Sequence, residues 1–117
     1  MWIPTLNQAW AVLAGAIVLE VAGTTCMRLS EGFTRLTPSV LIFVFYIASF
    51  ALNTLVIRTL GLSVVYAVWS GVGTVLTAGI GFLWFREPAT ALKLVSIGLI
   101  VIGVMGLHAS TRATVAA

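Results

Sequence analysis

Four long apolar runs dominate this chain, each of a length that crosses a bilayer. A hydrocarbon core about 30 Å thick takes about 20 residues of helix. The runs fall at 7–27, 37–57, 62–85 and 89–108. Lipid offers no partner to a free backbone donor or acceptor, so each run is expected to satisfy its own as an α-helix. The expected fold class is an all-α integral membrane protein, one four-helix domain over residues 1–117.

The connections are short. Glu31-Gly32 marks a turn between the first two runs, Arg58 to Gly61 joins the second to the third, and Arg86-Glu87-Pro88 precedes the fourth. Pro38 and Pro88 suit helix starts, where the missing donor is not needed. The tail after His108 is small and polar and is expected to fray. Trp2, Trp10, Trp84 and Phe85 lie near run ends, where aromatic belts form. Met1-Trp2-Ile3-Pro4 has no basic region or cleavage site of a secretory signal, so the first run is expected to stay in the mature protein.

Charge excludes other classes. Only 8% of residues are charged against 61% hydrophobic, whereas soluble domains carry about 25% charged residues. The net charge of +3 does not mark a nucleic-acid partner, because the basic residues are scattered singly and not gathered on a face. Arg28, Arg35, Arg86 and Lys93 flank the first and third connections, against Arg58 and Arg112 on the other side. Four against two is a small bias for a topology set by such counts, and insertion in both orientations is physically open. Cys26 is the single cysteine and forms no internal disulfide. The sequence holds no metal-ligand cluster, phosphate-cradling loop or activated nucleophile, so neither a cofactor nor an enzymatic activity is expected.

Glu20 carries the chemistry. A carboxylate inside a membrane helix costs about 2.5–3.5 kcal/mol on insertion scales and usually lines a cavity or proton path. Removal from water favours the protonated form, and a bound cation favours the charged one. One group then holds a proton or a cation but not both, the minimum apparatus for exchange. The alternative is a protonated Glu20 acting only as glue between helices. Leu13, Ala16, Ile17, Gly23 and Thr24 stand three, four or seven residues away, on the same helical face, and are expected to line the space beside it. Tyr46, Tyr66 and Trp69 fall at interior depths, and aromatic rings around a carboxylate suit a delocalised or quaternary cation. Without Glu20 they would read as packing. Ser49 and Asn53 are placed with the same pocket. Gly71 and Gly73 are a candidate hinge or a close-packing site. Gly98, Gly103, Gly106 and Ser96 give the fourth run small faces for association, and His108 is read as an interfacial partner of that helix's end. Four helices make a thin wall, so a dimer is expected, bringing two Glu20 carboxylates to one site.

The stretch Glu20-Val21-Ala22-Gly23-Thr24-Thr25, with Ser30-Glu31-Gly32-Phe33-Thr34-Arg35-Leu36 after it, resembles the first helix and loop of the small multidrug resistance transporter family. Tyr66-Ala67-Val68-Trp69-Ser70-Gly71-Val72-Gly73 resembles that family's third-helix signature. The resemblance covers nearly the whole chain. It implies an antiparallel, dual-topology homodimer in the bacterial plasma (inner) membrane, in which Glu20 of both copies binds protons and small cations in competition. It also implies that Tyr66 contacts the carboxylate, that Trp69 and Tyr46 face the substrate, that Gly71 and Gly73 sit at a bend, and that Gly103 belongs to a helix-four dimer contact, to which Gly98 is added. Gly23 and Tyr46 resemble the branch exporting drugs and quaternary ammonium ions, whereas Phe85-Arg86-Glu87-Pro88-Ala89-Thr90-Ala91-Leu92-Lys93 resembles the guanidinium-exporting branch. The pocket lies in the first three helices, so Gly23 and Tyr46 are weighted more heavily. A guanidinium or polyamine exporter, or one half of a heterodimer with a paralogue, is the alternative. Two departures stand out. Gly61-Leu62-Ser63 replaces the family's usual Pro-x-Gly, and Asn53 occupies a commonly apolar position, where it would reward a substrate with hydrogen-bonding groups.

Overall fold

Thr5 opens the first helix with a capping box, its hydroxyl accepting from the Gln8 N–H at 3.3 Å while its own N–H donates to Gln8 Oε1 at 3.0 Å. Two of the orphan donors of a helix start are thereby satisfied. From that cap, α1 runs Leu6–Leu29, followed by α2 Leu36–Leu60, α3 Leu62–Leu83 and α4 Ala91–Ala116. The structure is a computed structural model and describes residues 2–116, with side chains through residue 110. The side chain of Arg112 lies outside the described ones, whereas the backbone after His108, expected to fray, continues α4 to Ala116. All four helices are long and apolar enough to cross a membrane.

The helix ends differ from the expected ones for local reasons. Glu31, Gly32 and Phe33 all adopt positive φ (49°, 70° and 66°) in the first connection, although only one of them is glycine. Ser30, buried beneath them, ties the turn. Its hydroxyl donates to the Met27 carbonyl at 2.9 Å and accepts from the Phe33 N–H at 3.2 Å, and its carbonyl receives the N–H groups of Thr34 and Arg35. Pro38 sits in the first turn of α2, where no carbonyl waits for its missing N–H.

The second connection is a single residue. Gly61, with φ 89° and ψ 152°, occupies a region open essentially to glycine alone, which lets α2 run on to Leu60 and α3 begin at Leu62. Helix α3 stops at Leu83, short of Phe85, because Arg86 turns to φ 55° and the Glu87 N–H returns to the Gly81 carbonyl at 2.9 Å. Thr90, and not Pro88, caps α4, its hydroxyl accepting from the Lys93 N–H at 3.2 Å.

Helix α1 is central, packing against α2 and α3, while the contacts of α4 with another helix are made chiefly to α3. Ala9, Leu13, Ile17 and Val21, four residues apart, form one stripe of α1 that meets Val56 of α2 and Val65 of α3 in the core. Ser49 of α2, fully buried, donates to the Ala16 carbonyl at 2.7 Å, pinning the α1–α2 crossing. At the far end, the Thr59 hydroxyl donates to the Pro4 carbonyl at 3.1 Å. Helix α4 leans on α3 where Gly71 makes room for Val104, and His108 meets Trp10 edge-on with ring centroids 5.5 Å apart.

A Cβ at Gly71 would lie 2.8 Å from Val104 Cγ2, and β-branched valine has little freedom to move aside. Gly71→Ala is therefore expected to destabilise the protein by about 1–3 kcal/mol through overpacking. Thermal unfolding in detergent measures this, and Gly71→Ala combined with Val104→Ala is expected to recover most of the loss.

Candidate functional site: a carboxylate in an aromatic cavity

Between α1, α2 and α3 lies a cavity of about 990 Å³. Helix α1 contributes Glu20, Thr24 and Met27. Helix α2 contributes a stripe from Phe43 through Tyr46, Ile47, Phe50 and Asn53 to Ile57. Helix α3 contributes Tyr66, Trp69, Gly73, Thr74 and Thr77, among others. The single-residue turn at Gly61 folds α3 back beside α2, so that the two stripes face one another across the space.

Glu20 is half-buried in this wall. Its Oε1 accepts from the Thr24 hydroxyl at 3.2 Å, one helical turn on. Thr24 Oγ1 lies 2.7 Å from the Tyr46 hydroxyl, and the Tyr46 hydroxyl is within 3.6 Å of Met27 Sδ. Each hydroxyl has one proton to give. With Glu20 ionised, Tyr46 donates to Thr24 and Thr24 to the carboxylate. With Glu20 protonated, the chain can reverse, Glu20 donating to Thr24, Thr24 to Tyr46, and Tyr46 to the Met27 sulfur. Both charge states of the carboxylate thus find partners without movement of the helices. No ion pair to Glu20 is formed by the described residues; the pair between Arg35 and Glu31, 3.9 Å apart, lies on the exposed first turn.

The other carboxylate oxygen, Oε2, faces α3 at its narrowest point. A Cβ at Gly73 would stand 3.7 Å from that oxygen and 3.9 Å from Trp69 Cδ1. Beyond it the rings form a continuous wall. Tyr46 stacks on Phe50 at 5.9 Å between centroids, and Phe50 meets Trp69 at 6.2 Å with an interplanar angle of 30°. Aromatic faces and a carboxylate on one cavity offer a cation both charge and ring-face attraction.

The structure brings Glu20, Thr24, Tyr46, Asn53, Tyr66 and Trp69 to this cavity. Tyr66 stands at its rim, 75% exposed, and among the described residues forms no hydrogen bond to Glu20. Leu13, Ala16 and Ile17, read as pocket-lining, are instead buried in the helix core. They do share Glu20's face, but α2 crosses that face above Glu20, where Ser49 also is spent on the Ala16 carbonyl. Gly23 is buried beneath the cavity wall, and a Cβ there would meet Phe45 Cβ at 3.4 Å and the Tyr46 ring at 3.5 Å. The space of a larger side chain at 23 is thus already held by Tyr46. Gly71 and Gly73 serve close packing in an unbroken α3, against Val104 and Glu20 respectively. Gly98 and Gly103 have no neighbouring atoms within 4 Å of a Cβ position. Phe50 and Met27 were not singled out from the sequence. Phe50 lies four residues after Tyr46 and three before Asn53, a helical stripe that marks it.

Four membrane-crossing helices around a carboxylate-bearing, aromatic-walled cavity define a polytopic membrane protein with a site for a small molecule. Residues 8–100 match the family described as Small Multidrug Resistance protein. Similar proteins include the uncharacterized membrane protein YvaE of Bacillus subtilis (strain 168), 50% identical over 85% of this chain and 83% of that protein. A guanidinium exporter of Salmonella typhimurium is 43% identical over 90% of this chain and its own full length. The quaternary ammonium compound-resistance protein QacE of Escherichia coli is 38% identical over 92% of this chain and 97% of its own. The chain belongs to the small multidrug resistance family, whose members are transporters and not enzymes, and it is a multi-pass protein of the bacterial inner membrane.

The approach of Gly73 to Glu20 sets a graded expectation. Gly73→Ala places its methyl at ordinary contact distance and is expected to retain cation binding within a few-fold. Gly73→Val fills the space beside the carboxylate and is expected to lower affinity by about 10-fold or more, since bulk added to a packed site must displace its neighbours. Isothermal calorimetry with a small organic cation distinguishes the two.

Proposed function

We propose that this protein exports small organic cations, quaternary ammonium compounds among them, in exchange for protons, with Glu20 binding either ligand in competition. The observation that carries this reading is the Glu20 carboxylate in the wall of a 990 Å³ aromatic-lined cavity, partnered by a hydroxyl chain that accommodates it with or without a proton. A cation enters when Glu20 is ionised; a proton arriving from outside neutralises the carboxylate and releases the cation there. Each ligand binds only in the other's absence, and that exclusion couples the two fluxes. Access then alternates between the two sides through a two-state shift of the assembly.

The working unit is an antiparallel homodimer. One protomer leaves Tyr66 exposed at the cavity rim and most of the apolar surface of α4 uncovered, with room at Gly98 and Gly103 for a neighbour's helix.

The seating of Tyr46 over Gly23 supports the drug and quaternary-ammonium reading, since a flat ring takes the place of a bulkier side chain from α1. A guanidinium-type exporter on the same scaffold is the second reading, favoured by relatives named as guanidinium exporters and by the amide of Asn53 in the cavity wall.

In proteoliposomes under a pH gradient, adding a quaternary ammonium or guanidinium ion is expected to trigger proton flux, which Glu20→Gln abolishes. Absence of flux with both ions would end the exporter reading for this chain alone. Because proton and cation compete in this reading, cation affinity is expected to fall as pH falls. Glu20→Gln, which has no proton to exchange, is expected to flatten that dependence.

A further inference from the structure

Beside the third connection, between α3 and the start of α4, lies a second cavity of about 480 Å³. Ala78 and Phe82 of α3 and Leu92 and Ile97 of α4 form its apolar sides, and Glu87 and Lys93 bring charge to it. The fold seats both charged side chains. Arg86 turns to φ 55°, and the Glu87 N–H reaches the Gly81 carbonyl at 2.9 Å, which lays the Glu87 carboxylate over Gly81. A Cβ at Gly81 would collide with Glu87 Oε1, so the missing side chain gives the carboxylate its place. Lys93 curls back over the first turn of α4, its Nζ donating to the Pro88 carbonyl at 3.0 Å. An ammonium has three donors, and two remain. Both residues are exposed, and among the described residues neither enters an ion pair, with the other or with any third side chain.

The depth of this cavity is fixed by its neighbours. Trp84 and Phe85, stacked at 5.2 Å between centroids, immediately precede Arg86 and Glu87, and the Arg28 guanidinium lies 5.1 Å from the Phe85 centroid. Aromatic and basic residues together mark the headgroup level of a membrane. From that level the cavity runs inward by about one helical turn, Phe82 to Ala78 on one side and Lys93 to Ile97 on the other. Ser96 adds a hydroxyl to the same wall.

We propose that this cavity binds one phospholipid whose headgroup carries a phosphate and a protonated amine, the amine on Glu87, the phosphate on Lys93, and the start of an acyl chain between Phe82 and Ile97. Two opposite charges in one cavity, not spent on each other, are complementary to a zwitterion. A water-soluble zwitterion leaves the apolar sides uncovered, whereas a lipid covers them. A carboxylate takes charge-assisted hydrogen bonds from a primary ammonium. An ethanolamine headgroup supplies them; choline has no N–H to give, and glycerol brings no cation. The site shares no lining residue with the Glu20 cavity and does not depend on the transport reading.

The test uses the full-length protein purified in detergent, with phosphatidylethanolamine, phosphatidylcholine and phosphatidylglycerol of identical acyl chains. Lipid retention is read by native mass spectrometry and affinity by thermal-shift titration. Phosphatidylethanolamine is expected to bind about 10-fold more tightly than either of the others, the size of one hydrogen bond to a charged group. Glu87→Gln is expected to bring that ratio close to one. Gly81→Ala, which displaces the carboxylate and keeps its charge, is expected to lower it several-fold. Lys93→Gln is expected to weaken all three lipids alike, since each carries the phosphate, and Lys93→Arg to restore part of the loss. Each ratio is taken within one variant, so a general loss of stability does not imitate a change in it. Equal binding of the three lipids by the wild-type protein would overturn the proposal, as would an ethanolamine preference that survives both Glu87→Gln and Gly81→Ala. A preference for phosphatidylglycerol would also overturn it, and would mark general attraction to the basic residues at this end of the protein.

Discussion

Glu20 sits inside α1, where an ionised carboxylate carries a penalty of about 2.5–3.5 kcal/mol on insertion scales, and the surrounding structure is arranged around how that penalty is met. The Thr24 hydroxyl, one turn further on, reaches Oε1 at 3.2 Å. Gly73 withholds a side chain on the other flank, so the second oxygen is not pressed by α3. The cavity keeps the group open to whatever enters from outside. None of these is a fixed countercharge. A lysine or arginine in their place would pair with Glu20 as a fixed countercharge. Hydroxyls hold the carboxylate in either state because each can donate or accept.

The rest of the protomer is tied more firmly. The α1–α2 crossing is tied by Ser49 on the Ala16 carbonyl and by Thr59 on the Pro4 carbonyl, and the core stripe from Ala9 to Val21 fills the space above the cavity. Gly61 then reverses the chain within one residue, so Trp69 is delivered to Phe50 by a short connection with little freedom. Helix α4 stands apart from this, touching α3 through Gly71 and Val104 and α1 through His108 and Trp10. The first three helices make the site, and the fourth leaves most of its surface open.

Much of this was legible in the sequence because lipid simplifies the problem. Twenty apolar residues with a single carboxylate have few structures available, and helical spacing from Glu20 reaches Thr24, while aromatic residues at matching depth are Tyr46 and Trp69. Spacing identifies a face but not the depth at which a neighbour crosses it. For that reason Leu13, Ala16 and Ile17 share the face of Glu20 yet lie in the core, where α2 already covers them. The turns were less legible. Glu31, Phe33 and Arg86 take positive φ without being glycine, held there by bonds to Ser30 and to the Gly81 carbonyl, and such bonds are visible only once the chain has folded. Gly71 and Gly73 looked alike in the sequence and are not: one admits a valine from α4, the other a carboxylate from α1.

The α2 stripe combines two kinds of recognition that differ in steepness. Tyr46 and Phe50 present stacked faces, and ring-face attraction falls off gradually with cation size and shape, which tolerates many ligands. Asn53, one turn further, brings an amide whose oxygen has no hydrogen-bond partner among the described residues, and a hydrogen bond is either made or missing. Placed side by side, the rings and the amide give the cavity wall one graded and one all-or-none kind of contact. The pairing of Gly23 with Tyr46 works in the first way, since exchanging volume between α1 and α2 reshapes the cavity while its polarity stays the same. Asn53 differs in the second way, bringing polarity to the wall with little change in its volume.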